Sequence, residues 1–200
     1  MSAPTEPFSA AYYSTRNYRD YLTRKFDALA RDIIPCTLLL TDPILDFGCG
    51  YGGLVNALWN LRYQTIRGTD ISQWAIEEGH RRFPHLRERL QYYNRDLLRQ
   101  PHALILMLDV LEHMPEYEIE SVLKLARTGC TGSLTVRIPV SSMEGEPFIL
   151  PVSNNDPTHI ACHTKAWWFA ALSAAGFTPS SQLATSTIYD SPGVLAASFT

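Results

Sequence analysis

Carboxylates close a series of apolar runs in this chain, and each is followed by a turn where a ligand can meet bare backbone. The first is Asp46, in Ile44-Leu45-Asp46-Phe47, followed at once by Gly48-Cys49-Gly50-Tyr51-Gly52-Gly53. Glycines in such a loop admit φ > 0 and let a ligand approach where a Cβ would clash. Leu54-Val55-Asn56-Ala57-Leu58-Trp59 then takes helical spacing, so the stretch predicts a strand, a tight loop and a helix. That arrangement presents backbone to nucleotide-like ligands. Gly48, Gly50 and Gly53 satisfy the dinucleotide spacing, whereas Gly48, Gly50 and Gly52 give a denser one. Asp46 favours the second reading, because a carboxylate at the strand end repels a pyrophosphate and suits an ammonium or sulfonium group.

Three further acids follow the same rule. Asp70 closes Gln64-Thr65-Ile66-Arg67-Gly68-Thr69-Asp70, where a carboxylate can accept from both ribose hydroxyls. Ile71 comes next, and Ser72 is placed to cap a helix from Gln73 to about Arg82. Asp96 closes the run that starts at Leu90 and passes into Leu97; Asp109 closes Leu104-Ile105-Leu106-Met107-Leu108 and opens Val110-Leu111-Glu112-His113-Met114. Any one of these acids is equally readable as a helix cap or turn residue. Acids at successive strand ends are harder to explain that way.

In these residues the chain resembles the class I S-adenosylmethionine-dependent methyltransferases. Their first motif commonly reads Leu-Asp-x-Gly-x-Gly-x-Gly, here Leu45 to Gly52. Asp70-Ile71-Ser72 looks like their second motif, and the run into Asp109-Val110-Leu111-Glu112-His113 resembles their fourth. The resemblance covers about residues 40 to 140. It implies S-adenosyl-L-methionine as cofactor, with its methionine end at Asp46, Gly48, Cys49, Gly50 and Gly52 and its ribose on Asp70. It also implies adenine between Ile71, Asp96 and Leu97, and Asp109 within the cofactor site. The nicotinamide reading is disfavoured by Asp46 and leaves Asp109 to His113 without a role.

The elements that must hold these residues alternate along the chain. Tyr12 to Arg31 carries Tyr18, Tyr21, Leu22, Phe26 and Leu29 at helical spacing and ends before Pro35, reading as a helix on the sheet edge or over the cofactor mouth. Tyr117 to Arg127 reads as a helix, Gly132 to Pro139 as a fifth strand, and Thr164 to Leu172 as a helix stopped at Gly176. Leu183 to Tyr189 and Val194 to Phe199 read as a terminal hairpin across Ser191-Pro192-Gly193. The expected fold is α/β: a doubly wound, mostly parallel sheet with helices on both faces and a C-terminal antiparallel hairpin, seven-stranded if the resemblance holds. Residues 1–200 read as one methyltransferase domain, with 1–10 flexible, 11–34 helical, and 141–163 a proline-punctuated substrate loop.

A sulfonium is already an activated methyl donor, so the protein's main task is to align a nucleophile in line with the methyl. A hydroxyl acceptor also benefits from a general base, for which histidine is suited near neutral pH. His113, after the fourth strand, and His159, in the proposed substrate loop, are the candidates; each is also readable as a structural partner of backbone. His159-Ile160-Ala161-Cys162-His163, with Asp156 upstream, lacks zinc-finger spacing, so no metal site is expected. Cys36, Cys49, Cys130 and Cys162 are far apart and read as reduced thiols.

With 46% hydrophobic content and a net charge of −3, the chain can fill a core and shows no broad basic footprint for nucleic acid. No signal peptide or apolar run of membrane-spanning length is evident, so the expected setting is the cytoplasm, as monomer or homodimer. The substrate expected is a small metabolite, methylated on oxygen or nitrogen. Two rivals stand beside it: methylation of RNA or protein, and a catalytically silent binding module.

Overall fold

The computed structural model describes residues 8–14 and 23–200. In chain order these give α1 (Ala10–Tyr13), α2 (Asp27–Ile33), β1 (Ile44–Phe47), α3 (Gly53–Asn60), β2 (Arg67–Asp70), α4 (Gln73–Arg82) and β3 (Leu90–Tyr92). Then come β4 (His102–Leu108), α5 (Glu116–Gly129), β5 (Cys130–Pro139), α6 (Lys165–Ala174), β6 (Pro179–Gln182) and β7 (Val194–Phe199). The strands form a seven-stranded sheet in the order β3-β2-β1-β4-β5-β7-β6. All neighbouring pairs are parallel except β5–β7 and β6–β7. Strand order reverses between β1 and β4, which opens a crevice at their C-terminal ends, the usual ligand position in α/β sheets.

Period-2 alternation builds a core on each face. Leu45 and Phe47 of β1, Ile105 and Met107 of β4, and Leu134 and Val136 of β5 pack on one side, under α5 and α6. Ile44, Leu104, Leu106 and Ala196 pack on the other, under α2, α3 and α4. Helices therefore cover both faces, as the doubly wound reading requires. Asp46 points to the second side, where its apolar neighbours leave it buried.

The local signals act as their chemistry demands. Ser72 Oγ accepts the Ala75 amide at 3.0 Å and caps α4. Thr164 Oγ1 accepts the Trp167 amide at 3.2 Å and caps α6, which stops before Gly176 at φ +93°. α2 ends at Ile33, and Ile34, extended, leads into Pro35.

Three boundaries differ from the sequence reading. The N-terminal helix does not run from Tyr12 to Arg31: α1 stops at Tyr13, Arg24 to Phe26 are not helical, and α2 starts at Asp27. Tyr18, Tyr21 and Leu22, and residues 1–7 of the segment read as flexible, lie outside the described residues. The third strand stops at Tyr92, because Asn94 Oδ1 accepts the Asp96 amide at 3.0 Å and starts a turn over Arg95–Arg99. The partner of β7 is Pro179–Gln182 rather than Leu183–Tyr189. All four residues of β6 are exposed, so no apolar alternation announces it.

Candidate functional site

A pocket of about 620 Å³ opens at the crevice between β1 and β4. Its floor is the turn after β1, with Phe47, Gly48 and Gly50; one wall is Asp70 and Ile71 from β2, and the other is Asp109, Val110, His113 and Met114 after β4. Phe8, Tyr12, Tyr13 and Arg24 close it from the N-terminal side. That segment is held at several points. Ser72 Oγ donates to the Phe8 carbonyl at 2.5 Å, Tyr12 donates to Asp156 Oδ2 at 3.0 Å, and the Tyr13 ring stacks on Trp74 at 5.2 Å. The position of Tyr12, Tyr13 and Arg24 agrees with a segment over the cofactor mouth.

Asp70 organises the floor. Its Oδ2 accepts the Gly50 amide at 2.7 Å and its Oδ1 accepts the Ser72 amide at 2.8 Å, so the acid ties the glycine loop to the start of α4. A carboxylate has about four lone-pair sites, more than these two amides use. Asp46 lies beneath, 4% exposed. Burial, and then the nearby Asp70 charge, raise its pKa to about 7. Two acids held this close in an apolar setting are relieved by a cationic ligand.

The glycines show the positive φ expected of them, and a second cause besides. Gly48, Gly50 and Gly52 all have positive φ, at +87°, +54° and +82°. A Cβ on Gly48 would lie 2.3 Å from Val110 Cγ2, and one on Gly52 would lie 2.6 Å from Leu90 Cδ2. At these two positions the protein's own packing excludes a side chain, before any ligand arrives. Gly52 and Cys49 do not line the pocket; the Cys49 thiol is buried against Gly68.

The expected adenine contacts divide. Ile71 stands on the pocket wall, half exposed. Asp96 is not brought there: its side chain is 81% exposed and pairs with Arg99 at 3.5 Å, while Leu97 is buried in the core under α5. The early end of β3 carries Asp96 off the strand terminus and out to solvent. Tyr93, which the motif reading passed over, lines the pocket instead, and its buried hydroxyl meets no hydrogen-bond partner among the described residues. The signal available for Tyr93 was its place near the end of the β3 run. Asp109 lines the pocket in a left-handed conformation, φ +55°, and is ion-paired with Arg137.

His113 stands on the pocket wall and His159 directly behind it, with ring centroids 4.6 Å apart. The ring of Phe8 meets His113 edge-on at 5.3 Å. His113 Nδ1 lies 2.9 Å from Thr158 Oγ1, and that hydroxyl donates to Asp156 Oδ1 at 2.6 Å. The Thr158 proton is thus committed to Asp156, so His113 carries its own proton on Nδ1 and keeps a lone pair on Nε2. His159 Nδ1 is anchored likewise, on the Ser153 carbonyl at 2.9 Å. Burial, and then His159, pull the His113 pKa down to about 4. The segment 141–163, expected as substrate wall, supplies none of the lining residues; it backs the pocket through Thr158 and His159. Trp167 and Trp168 also stay out of it: Trp168 is core, and Trp167 stacks on His163 at 3.7 Å.

Comparison with known proteins agrees with this geometry. Residues 45–131 match the family described as a methyltransferase domain. No curated protein matches the sequence significantly. Among solved structures, a SAM-dependent methyltransferase from Archaeoglobus fulgidus superposes with a TM-score of 0.68 at 15% identity, covering 94% of this chain and 97% of that one. Magnesium protoporphyrin IX methyltransferase from Synechocystis PCC 6803, solved with bound SAM, gives 0.63 at 17%, covering 100% of both chains. An O-methyltransferase family 2 protein from Planctomyces limnophilus DSM 3776, in complex with apigenin, gives 0.68 at 15%, covering 99% of this chain and 62% of that one. The chain spans 57% of an O-methyltransferase from neocarzinostatin biosynthesis, solved with S-adenosyl-L-homocysteine and 1,4-dihydroxy-2-naphthoic acid. At these identities the superpositions establish the shared fold. Among the described residues, no helix is long and apolar enough to cross a membrane.

Proposed function

We propose that the protein transfers a methyl group from S-adenosylmethionine to an oxygen, or a nitrogen, of a small metabolite. The observation that carries this reading is the pair of buried acids under the glycine loop, with Asp70 tying that loop to α4 and facing the pocket. A nicotinamide dinucleotide would bring pyrophosphate charge against Asp46 and Asp70; S-adenosylmethionine brings cationic groups. The residues fit the cofactor: the Gly48–Gly50 turn and Asp46 would hold its methionine end, Asp70 its ribose, and Ile71 and Tyr93 its adenine. When bound, it supplies a methyl group on a positively charged sulfur.

The chain's own contribution is then alignment and the exclusion of water. Phe8, Tyr12 and Tyr13 cover the pocket, and their rings favour a flat, partly apolar acceptor. His113 is the polar group on the wall after β4, with Nδ1 fixed and Nε2 left as acceptor. It, rather than His159, lines the pocket where the substrate would sit. A small metabolite is favoured over RNA or protein by the enclosing aromatic segment and by the net charge of −3.

The test is incubation of the protein with isotopically labelled S-adenosylmethionine and a metabolite extract, followed by mass spectrometry. The reading predicts a product heavier by one labelled methyl, together with S-adenosylhomocysteine. Label appearing only in added RNA or protein would overturn the small-molecule assignment. Binding of the cofactor without transfer to any acceptor would favour a silent module.

A further inference from the structure

Glu112 has no role in the site described so far, and its setting is unusual. Its side chain is fully buried in the turn after β4, and neither carboxylate oxygen meets a hydrogen-bond donor among the described residues. An unpaired buried carboxylate costs several kcal/mol, about as much as breaking a buried ion pair. His113 and His159 lie beside it, with one ligand atom from each of the three residues within 4.8 Å of the others, and the charges of Asp109, Arg137 and Asp156 also act on it.

We propose that Glu112, His113 and His159 hold a first-row divalent metal ion at the inner wall of the pocket. Three observations converge. Two histidines and one carboxylate form a donor set used by zinc and by other first-row transition ions. Bonds of about 2.1 Å to such an ion place neighbouring ligand atoms about 3.0 to 3.4 Å apart, so side-chain rotation must draw atoms that lie within 4.8 Å of one another inward by up to about 1.4 Å to close the site. Both histidines are pre-set for it: each has Nδ1 anchored on an oxygen, on Thr158 and on Ser153, which leaves Nε2 for the metal. Metal-binding histidines are ordinarily oriented in this way by a hydrogen bond on the other ring nitrogen.

The backbone keeps the ligands together. The Glu112 carbonyl accepts the amides of Ile160 and Ala161 at 2.8 and 3.0 Å, which clamps the turn after β4 to the segment carrying His159. Asp156 joins the same group on both sides: its Oδ1 accepts the Thr158 hydroxyl that holds His113, and its Oδ2 lies 3.6 Å from His159 Nε2, on the metal-facing side of that ring. The sequence obscured this arrangement because its ligands are adjacent at 112 and 113 but distant at 159, without any spacing signature.

The role of the ion deepens the methyltransferase reading and rests on it. Three protein ligands leave open positions, and His113 brings one side of the ion to the pocket. An acceptor hydroxyl bound there loses its proton to solvent as it coordinates. Its oxygen then forms the bond to the methyl carbon while the carbon–sulfur bond breaks, and that bond's electron pair stays on sulfur as a neutral thioether. The substrate class implied is a hydroxyl-bearing metabolite, best of all one that chelates through two neighbouring oxygens.

Metal binding can be tested without turnover. Metal-free protein is titrated with Co²⁺, Mn²⁺, Zn²⁺ and Mg²⁺ by calorimetry, and Co²⁺ is also followed by its visible absorption. S-adenosylhomocysteine is titrated into the same samples. The proposal predicts one site for Co²⁺, Mn²⁺ or Zn²⁺ binding more tightly than Mg²⁺. It also predicts loss of that site in Glu112→Gln and His159→Gln, and a tenfold or greater weakening in Thr158→Val. S-adenosylhomocysteine affinity should be retained in all of these variants, which also shows that they fold. Wild-type protein that binds S-adenosylhomocysteine and none of these ions would overturn the metal site alone. Equal ion binding by the wild type and by Glu112→Gln would do the same. Failure to bind S-adenosylhomocysteine at all would instead strike the methyltransferase reading.

Discussion

The Asp70 carboxylate reaches across the end of β2 to accept the Gly50 amide at 2.7 Å, so one side chain both shapes the glycine loop and faces the pocket beside it. A substitution there therefore removes a ligand contact and loosens the loop together. Asp70→Ala should weaken S-adenosylhomocysteine binding by about 1.5–3 kcal/mol, the range for hydrogen bonds to a charged group. That is roughly 10- to 150-fold in a calorimetric titration. Asp70→Asn should fall between the two, since its amide oxygen can accept only one of the Gly50 and Ser72 amides. Unchanged affinity in Asp70→Ala would remove this acid from the site.

Asp96 gives the opposite expectation. Its side chain is 81% exposed and, among the described residues, pairs with Arg99 in an ion pair of the kind that contributes about 0–1 kcal/mol. Asp96→Ala should keep both the melting temperature and cofactor affinity close to wild type. A large loss of affinity would return Asp96 to the adenine contact that its sequence position implied.

The contrast between these two acids shows what the sequence could and could not convey. Asp70 and Asp109 close runs that really are strands, so periodicity placed them at the crevice, with Asp46 buried beneath it in β1, and α4 runs from Gln73 to Arg82 as its cap predicted. Asp96 ends a run that stops being a strand at Tyr92, because the Asn94 side chain bonds the backbone and turns it. Local side-chain bonds of this kind compete with a ladder and leave no periodic trace. The exposed strand β6 and the polar cluster behind His113 were hidden for a related reason. Each depends on contacts between residues far apart in sequence, as when Thr158 meets His113.

The Gly48 position should respond to substitution in two separable parts. Its φ of +87° makes alanine there strained, at about 1–3 kcal/mol, and the new Cβ would strike Val110. Gly48→Ala should lower the urea midpoint. Adding Val110→Ala should recover part of that loss, giving a favourable coupling in a double-mutant cycle. Strict additivity of the two changes would show that Val110 does not enforce the glycine.

Asp46 should make stability and binding depend on pH in opposite senses. Its folded-state pKa of about 7 lies above the ordinary carboxylate value of 3.8, so between these values the folded protein holds a proton that the unfolded chain has lost. Its contribution to stability therefore falls as pH rises through that window and levels off above about 7. Asp46→Asn should be more stable than wild type at pH 8, by up to a few kcal/mol, with the difference vanishing near pH 4. Urea denaturation of both proteins at the two pH values checks this. A cationic ligand favours the ionised acid, so cofactor binding near pH 6 should release protons, seen as a dependence of the calorimetric enthalpy on buffer ionisation.

Whether the crevice after β1 is built for S-adenosylmethionine is decided by calorimetry with S-adenosylhomocysteine and with a nicotinamide dinucleotide. S-adenosylhomocysteine should bind saturably, more weakly in Asp70→Ala, and the dinucleotide should show no measurable binding. Wild-type protein that binds the dinucleotide and ignores S-adenosylhomocysteine would contradict that cofactor assignment.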